Sequence, residues 1–353
     1  MHLLIPHASA LGEAARPALQ MLALPQLAEL LARLQPQALP VPAPAAAASA
    51  AASAAPPAGN DADADDADDP EYRLSLPHEA ALAALAGWPG RDGNWPLAAW
   101  WAAQDGLSAA ALAHPGARTP AEAGLALLTP VHWQVGTEQV SLIDPQQLEL
   151  GAEESRALFE AVRPGFEAAG WRVSWGAPLR WYASHATLHG LAAASIDRVI
   201  GRSIDLWLPR GAEARLLRRL QVEVQMLLHE HPVNDARLAR RHLPVNSFWL
   251  GGTGPAAVAP LPADLVVDAR LGAPLLGGDW AAWVAAWQAL DAGPVADLLA
   301  RAQAGEPVGL TLCGERHARH WRSPGTARPA WRRLLARFTG PASVAVRPVL
   351  EQL

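Results

Sequence analysis

Apolar positions fall into three patterns along the chain. Between 24 and 34, leucines stand at 24, 27, 30, 31 and 34, the i, i+3, i+4, i+7 spacing of one helix face. Pro25 suits the first turn of that helix, where its missing N–H is not needed. The segments 153–169 and 215–229 repeat the spacing, the second with Leu216, Leu217, Leu220, Val224, Leu227 and Leu228. Trp280, Trp283 and Trp287 mark a further helix face, and 295–302 reads as another helix. Short β-branched or apolar runs predict strands at 3–5, 131–135, 140–143, 171–175, 179–183, 245–250, 264–268, 308–313 and 343–346. Gly136-Thr137-Glu138-Gln139 reads as a hairpin turn. The third pattern is the lack of one. Residues 35–70 are Pro/Ala-rich and then Asp-rich, bury too little apolar surface to offset their ordering entropy, and are expected to be disordered.

These elements predict an α/β fold. A strand, loop and helix at the start, then alternation of strands and helices toward the end, imply a mainly parallel core sheet with helices on both faces. It is expected to be built from 1–34 and 240–353. The order strand, strand, helix, strand, strand predicts a small α+β module inserted at 128–239. The Trp-rich stretch 71–127 reads as a helical and irregular part of the core.

Composition narrows the function without naming it. With 353 residues, 51% apolar and 18% charged, the chain can bury a sizeable core. All 28 basic residues are Arg, which excludes Schiff-base chemistry and Walker-type phosphate loops, since both need a lysine amine. A single cysteine, Cys313, excludes internal disulfides and Cys-rich zinc sites. Six Asp and one Glu within 61–71 outweigh the net charge of −6, so the remainder is nearly neutral. Neither nucleic acid nor an anionic membrane surface is expected as a partner. No run approaches the roughly 18 apolar residues of a membrane span, and the first residues lack the basic start of an export signal. A cytoplasmic protein is the expectation. The 15 Trp read mainly as core.

The specific signal runs from 195 to 254. It holds Ser195-Ile196-Asp197-Arg198 with Gly201-Arg202, then His231-Pro232-Val233-Asn234-Asp235-Ala236-Arg237, then Val245-Asn246-Ser247-Phe248-Trp249-Leu250-Gly251-Gly252-Thr253-Gly254. Asn234 and Asn246 read first as amides that tie down turns. Arg237 is the sharper candidate, a guanidinium able to fork onto a carboxylate or phosphate, with pairing to an acidic neighbour as the bland alternative. Gly251, Gly252 and Gly254 suggest a turn after a strand, where backbone N–H groups could cradle an anion. His229 and His231, two apart, cannot chelate one ion on a helix. His317 and His320, interleaved with Arg316, Arg319 and Arg322, read as a basic surface turn.

In that order the segments resemble the archaeal-type cofactor-independent phosphoglycerate mutases of the alkaline-phosphatase superfamily, over about 125–254. The chain is also similar to a bacterial group of Rpf-type regulatory proteins through its opening, Arg180-Trp181-Tyr182 and the block from His231 to Trp249. The mutase resemblance implies an alkaline-phosphatase-like core, two divalent metals such as Mn or Zn held by Asp and His, and a Ser nucleophile. The residues depart from that pattern at two strand ends. Leu3-Leu4-Ile5 is followed by Pro6-His7-Ala8-Ser9 with no carboxylate before Glu13, and Leu310-Thr311-Leu312-Cys313 by Gly314-Glu315-Arg316-His317. An Arg beside the ligands would repel a dication. The expectation is a degenerate, metal-free, mutase-like protein. It would regulate through a small phosphorylated or carboxylate ligand at Asn234, Arg237, Asn246, Gly251, Gly252 and Gly254, or through a protein partner. The alternative is an active metal-dependent mutase.

Overall fold

The computed structural model describes residues 1–40, 70–119, 122–210, 214–324 and 343–353. Among them run eleven strands: β1 His2–Ile5, β2 Gln35–Gln37, β3 Gly124–Val131, β4 Trp133–Val135, β5 Val140–Leu142, β6 Arg172–Ala177, β7 Arg180–Ser184, β8 Ser247–Pro255, β9 Leu265–Val267, β10 Gly309–Cys313 and β11 Ala318–Arg322. The result is a mixed α/β fold. It divides into two compact units: Met1–Val41, Ala84–Ala86 and Leu261–Leu353 in the first, Pro42–Ala83 and Gly87–Pro260 in the second.

The first unit carries a five-stranded sheet in the order β2-β11-β10-β1-β9. β1 pairs in parallel with β10 and β9, while β11 pairs antiparallel with β10 and carries β2 as the antiparallel edge. Leu3, Ile5, Leu310 and Leu312 are fully buried, and their core takes in Leu27, Leu30, Trp283, Trp287, Leu290 and Leu298. The predicted Trp stripe is therefore a packed helix face, Trp280–Leu290. A five-residue π-turn, Asp291–Val295, holds Pro294 and joins that helix to Ala296–Ala304. The turn has a use. The helix Pro25–Arg33 has no side-chain cap of its own, and the Asp291 carboxylate accepts the N–H groups of Leu27 at 2.8 Å and Gln26 at 3.2 Å.

The second unit holds a four-stranded antiparallel sheet, β6-β7-β3-β8, and the hairpin β4-β5. The helices Ala152–Ala168 and Ala214–His229 pack their apolar stripes on it through Leu158, Phe166, Leu220, Val224 and Leu228.

Four expectations need correction. Gln35–Gln37 is an edge strand, exposed along its length but paired with β11, so the excursion does not begin at 35; the expectation for 41–69 lies outside the described residues. Of the run at 245–250, Ser247 to Leu250 belong to β8 and pair with β3, not with the core sheet, and the first unit resumes at 261 rather than 240. Residues 71–83 and 87–127 likewise lie in the second unit. A short apolar run predicts a buried strand but carries no information about its neighbour. Finally, 343–346 is no strand; a short helix, Val346–Leu350, starts at its end.

Candidate functional site

The second unit contains the residues singled out in the sequence. The helix Pro232–Ala239 starts at His231, whose ring accepts the Val233 N–H, and presents Asn234 and Arg237 inward. Asn234 donates to the carbonyls of Leu228 and Val245 and accepts the Val245 N–H at 2.9 Å, fastening the end of one helix to the approach of β8. Asn246 extends the sheet with its side chain. Its Oδ1 accepts the Trp133 N–H at 2.7 Å, and its amide donates to the Trp133 carbonyl at 2.9 Å.

Arg237 is 1% exposed. Its Nε donates to the Leu243 carbonyl at 2.9 Å, one terminal nitrogen to Glu154 at 2.5 Å, and the other to the Leu148 carbonyl. Arg240 also bonds Glu154. Burial acts to raise the Glu154 pKa and is outweighed by Arg240 and Arg237, which hold it below the ordinary carboxylate range. The acidic partner is thus Glu154, 83 residues away, rather than Asp235 or Glu230.

The glycines correct an expectation. Gly251, Gly252 and Gly254 do not form a turn after a strand; they lie within β8. A Cβ on Gly254 would stand 2.8 Å from the Pro96 Cα, and one on Gly252, at φ 60°, would stand 3.2 Å from the Ala98 nitrogen. Their absent side chains admit the backbone that opens the helix Leu97–Gln104. The hydroxyl of Thr253 between them lies 2.6 Å from the Leu191 carbonyl and 2.9 Å from that of Gly93, one of which takes its single hydrogen. No anion cradle follows from this geometry.

The Ser195–Arg202 element carries a short helix, Ile196–Val199, whose Arg198 is buried and donates to the Ser75 carbonyl at 3.2 Å. Near Ser195 lies Glu79, which accepts the Leu76 N–H at 3.0 Å. Burial, partly offset by a hydrogen bond with Ser195 and reinforced by Asp197 and Asp92, pushes Glu79 up to about 8. Nothing in the spacing of Glu79 announced this; it emerges only when residues more than a hundred positions apart meet.

In the first unit the comparison with a two-metal centre rests on the carboxyl ends of β1, β9 and β10, where ligands collect in α/β sheets. After β1, His7 takes left-handed backbone at φ 56°, with the Trp283 indole donating to its carbonyl and Gly272 against its ring. After β9, Asp268 is held by Arg270 through two bonds of 2.8 and 2.7 Å. After β10, Glu315 accepts the Leu11 N–H at 3.0 Å. Leu353, fully buried, closes that end: a Cβ on Gly314 would meet it at 2.5 Å, and its carbonyl accepts the N–H groups of Arg316 and His317. This donor set does not match the Asp-rich metal pair that the mutase resemblance implies. His317 is exposed, but His320, expected on a surface turn, is buried in β11.

No family model matches the chain. A 2,3-bisphosphoglycerate-independent phosphoglycerate mutase of Methanothrix thermoacetophila is 40% identical over 62 residues, which is 18% of this chain and 16% of that protein's length. A solved cofactor-independent phosphoglycerate mutase of Thermoplasma acidophilum aligns over 94% of this chain and 91% of that one, at 12% identity and a TM-score of 0.35. No helix among the described residues is long and apolar enough to cross a membrane. The findings thus amount to a mixed α/β fold with a weak, local relationship to phosphoglycerate mutases.

Proposed function

We propose that this is a phosphoglycerate-mutase-like protein that does not run the two-metal phosphoryl transfer and serves regulation by binding a small phosphorylated or carboxylate ligand. The observation that carries the reading is the closed end of β10. Two-metal catalysis needs carboxylates open to the ions, so that the ions can clamp attacking and leaving oxygens. Glu315 instead satisfies a backbone N–H, and Leu353 fills the space over Gly314. At β9, Asp268 is neutralised by Arg270. Arg237 supports binding less than the sequence suggested, because its donors are spent inside the fold.

The test combines elemental analysis of dialysed protein, a mutase assay with added Mn, and calorimetric titration with phosphoglycerate and with inorganic phosphate. Substoichiometric metal, no turnover and measurable heat of binding are expected. Two metal ions per chain, or metal-dependent turnover, overturns the proposal. Absence of any binding removes its ligand half.

A further inference from the structure

The sheet of the first unit has polar side chains in its interior. His2 on β1, Thr311 on β10 and His320 on β11 are each 6% exposed or less. Thr311 and His320 are register partners, and His2 pairs with Gly309, where a Cβ would stand 2.6 Å from the His2 ring. Glycine therefore makes room for the imidazole. The two rings lie parallel, 5° apart in plane and 5.0 Å between centroids. The Thr311 hydroxyl joins them, 2.8 Å from His2 Nε2 and 2.9 Å from His320 Nδ1.

A neutral imidazole carries one N–H and one acceptor nitrogen, so a hydroxyl between two neutral rings accepts from one and donates to the other. A proton added to the accepting ring puts two N–H groups against one hydroxyl, whose own hydrogen loses its acceptor.

We propose that His2, Thr311 and His320 form an acid-sensitive latch: the neutral pair holds the edge strands β11 and β2 on the sheet, and protonation of the pair releases that edge. The charges facing the latch favour the neutral state. β11 contributes Arg322, the chain before β1 contributes the Met1 amino group, and among the described residues the opposing charge is Asp264 ahead of β9, itself exposed and 3.8 Å from that amino group. β2 brings Gln35, Pro36 and Gln37, none titratable. Burial first, then His320 and Arg322, push His2 down to about 4, and burial with Arg322 also lowers His320. A depressed imidazole contributes stability in full above its ordinary range near 6.5 and loses it as pH falls toward about 4. The outermost strand of that edge, β2, is the weakest part, being only three residues with a Pro that has no N–H to give, and β11 stands next to it.

Hydrogen exchange read by mass spectrometry on the full chain, from about pH 7 to about pH 4 and corrected for intrinsic rates, tests this. Protection of 35–37 and 318–322 is expected to fall about tenfold or more on acidification, and His320→Phe, which keeps a stacked ring without a titratable nitrogen, to remove that dependence. Unchanged protection in the wild type, or the same loss in the variant, overturns the latch. Should the variant not fold, imidazole NMR of the wild type decides. Both rings neutral at about pH 6 supports the latch; titration of either ring near its ordinary value defeats it.

Discussion

The sheet of the first unit and the sheet of the second hold polar groups in apolar interiors by different means. In the first, β1 is buried on both faces, and its polar cluster consists of two imidazoles joined by a hydroxyl, both pushed by burial toward the neutral form. In the second, antiparallel strands are covered by helices, and one buried polar group, Arg237 on the helix Pro232–Ala239, is a full charge reaching Glu154 and two carbonyls. A guanidinium on a long stem can keep its counter-ion near the rim; Glu154 is 22% exposed and shared with Arg240. A two-carbon-deep imidazole in the middle of a parallel sheet has no such reach, so neutrality is the cheaper state. The place of the group, on a central strand or on a helix with its counter-ion near the rim, decides which solution the chain uses.

The largest test of that contrast is Arg237→Leu. Removing one partner of a buried pair and orphaning the carbonyls of Leu148 and Leu243 should lower unfolding stability by about 3–5 kcal/mol in denaturant titration. A variant of unchanged stability that fails to bind phosphoglycerate would make Arg237 a ligand residue and erase the contrast. Next comes Glu79→Gln. The folded pKa of Glu79 is raised to about 8, so the folded state keeps a proton that the unfolded chain sheds above about 4.5. Its contribution is therefore lost as pH rises, at up to ~1.4 kcal/mol per pH unit, the opposite sense to the first unit's histidines. The amide should match the wild type near pH 4 and exceed it by about 2–3 kcal/mol near pH 7. Parallel stability curves for the two proteins would mean Glu79 ionises normally. The smallest effect is Asp291→Ala, which uncaps the helix Pro25–Arg33 and should cost about 1–2 kcal/mol. Exchange protection should fall at 25–33 and not along β3 or β8.

Periodicity carried much of the fold. The helix expected at 215–229 is Ala214–His229, that at 153–169 is Ala152–Ala168, and the strand expected at 308–313 is Gly309–Cys313. These segments advertise themselves because one face or the whole run is apolar. Pairing was not legible. Nothing in Ser247–Pro255 distinguishes a neighbour at 124–131 from one in the core sheet, and Gln35–Gln37 is a strand through its partner, not its composition. The polar clusters were hidden for a related reason. Glu154 with Arg237, Asp291 with Leu27, and His2 with Thr311 each join residues that only the tertiary fold brings together. The Asn and Arg of the 231–237 segment stand out in the sequence, and in the fold their side chains bond Leu228, Val245, Leu243, Leu148 and Glu154.

The order of the strands sets a timetable for synthesis. β1 is made early, yet both of its parallel neighbours are made late, and the bond from His2 to Thr311 spans 309 residues. The second unit has all the strands of its own sheet between those two moments. A chain emerging from the ribosome would complete the antiparallel sheet while Leu3, Leu4 and Ile5 still await partners. An exposed apolar strand in that interval is a target for chaperones and for mispairing. The parallel sheet, although β1 precedes the second unit, closes after it.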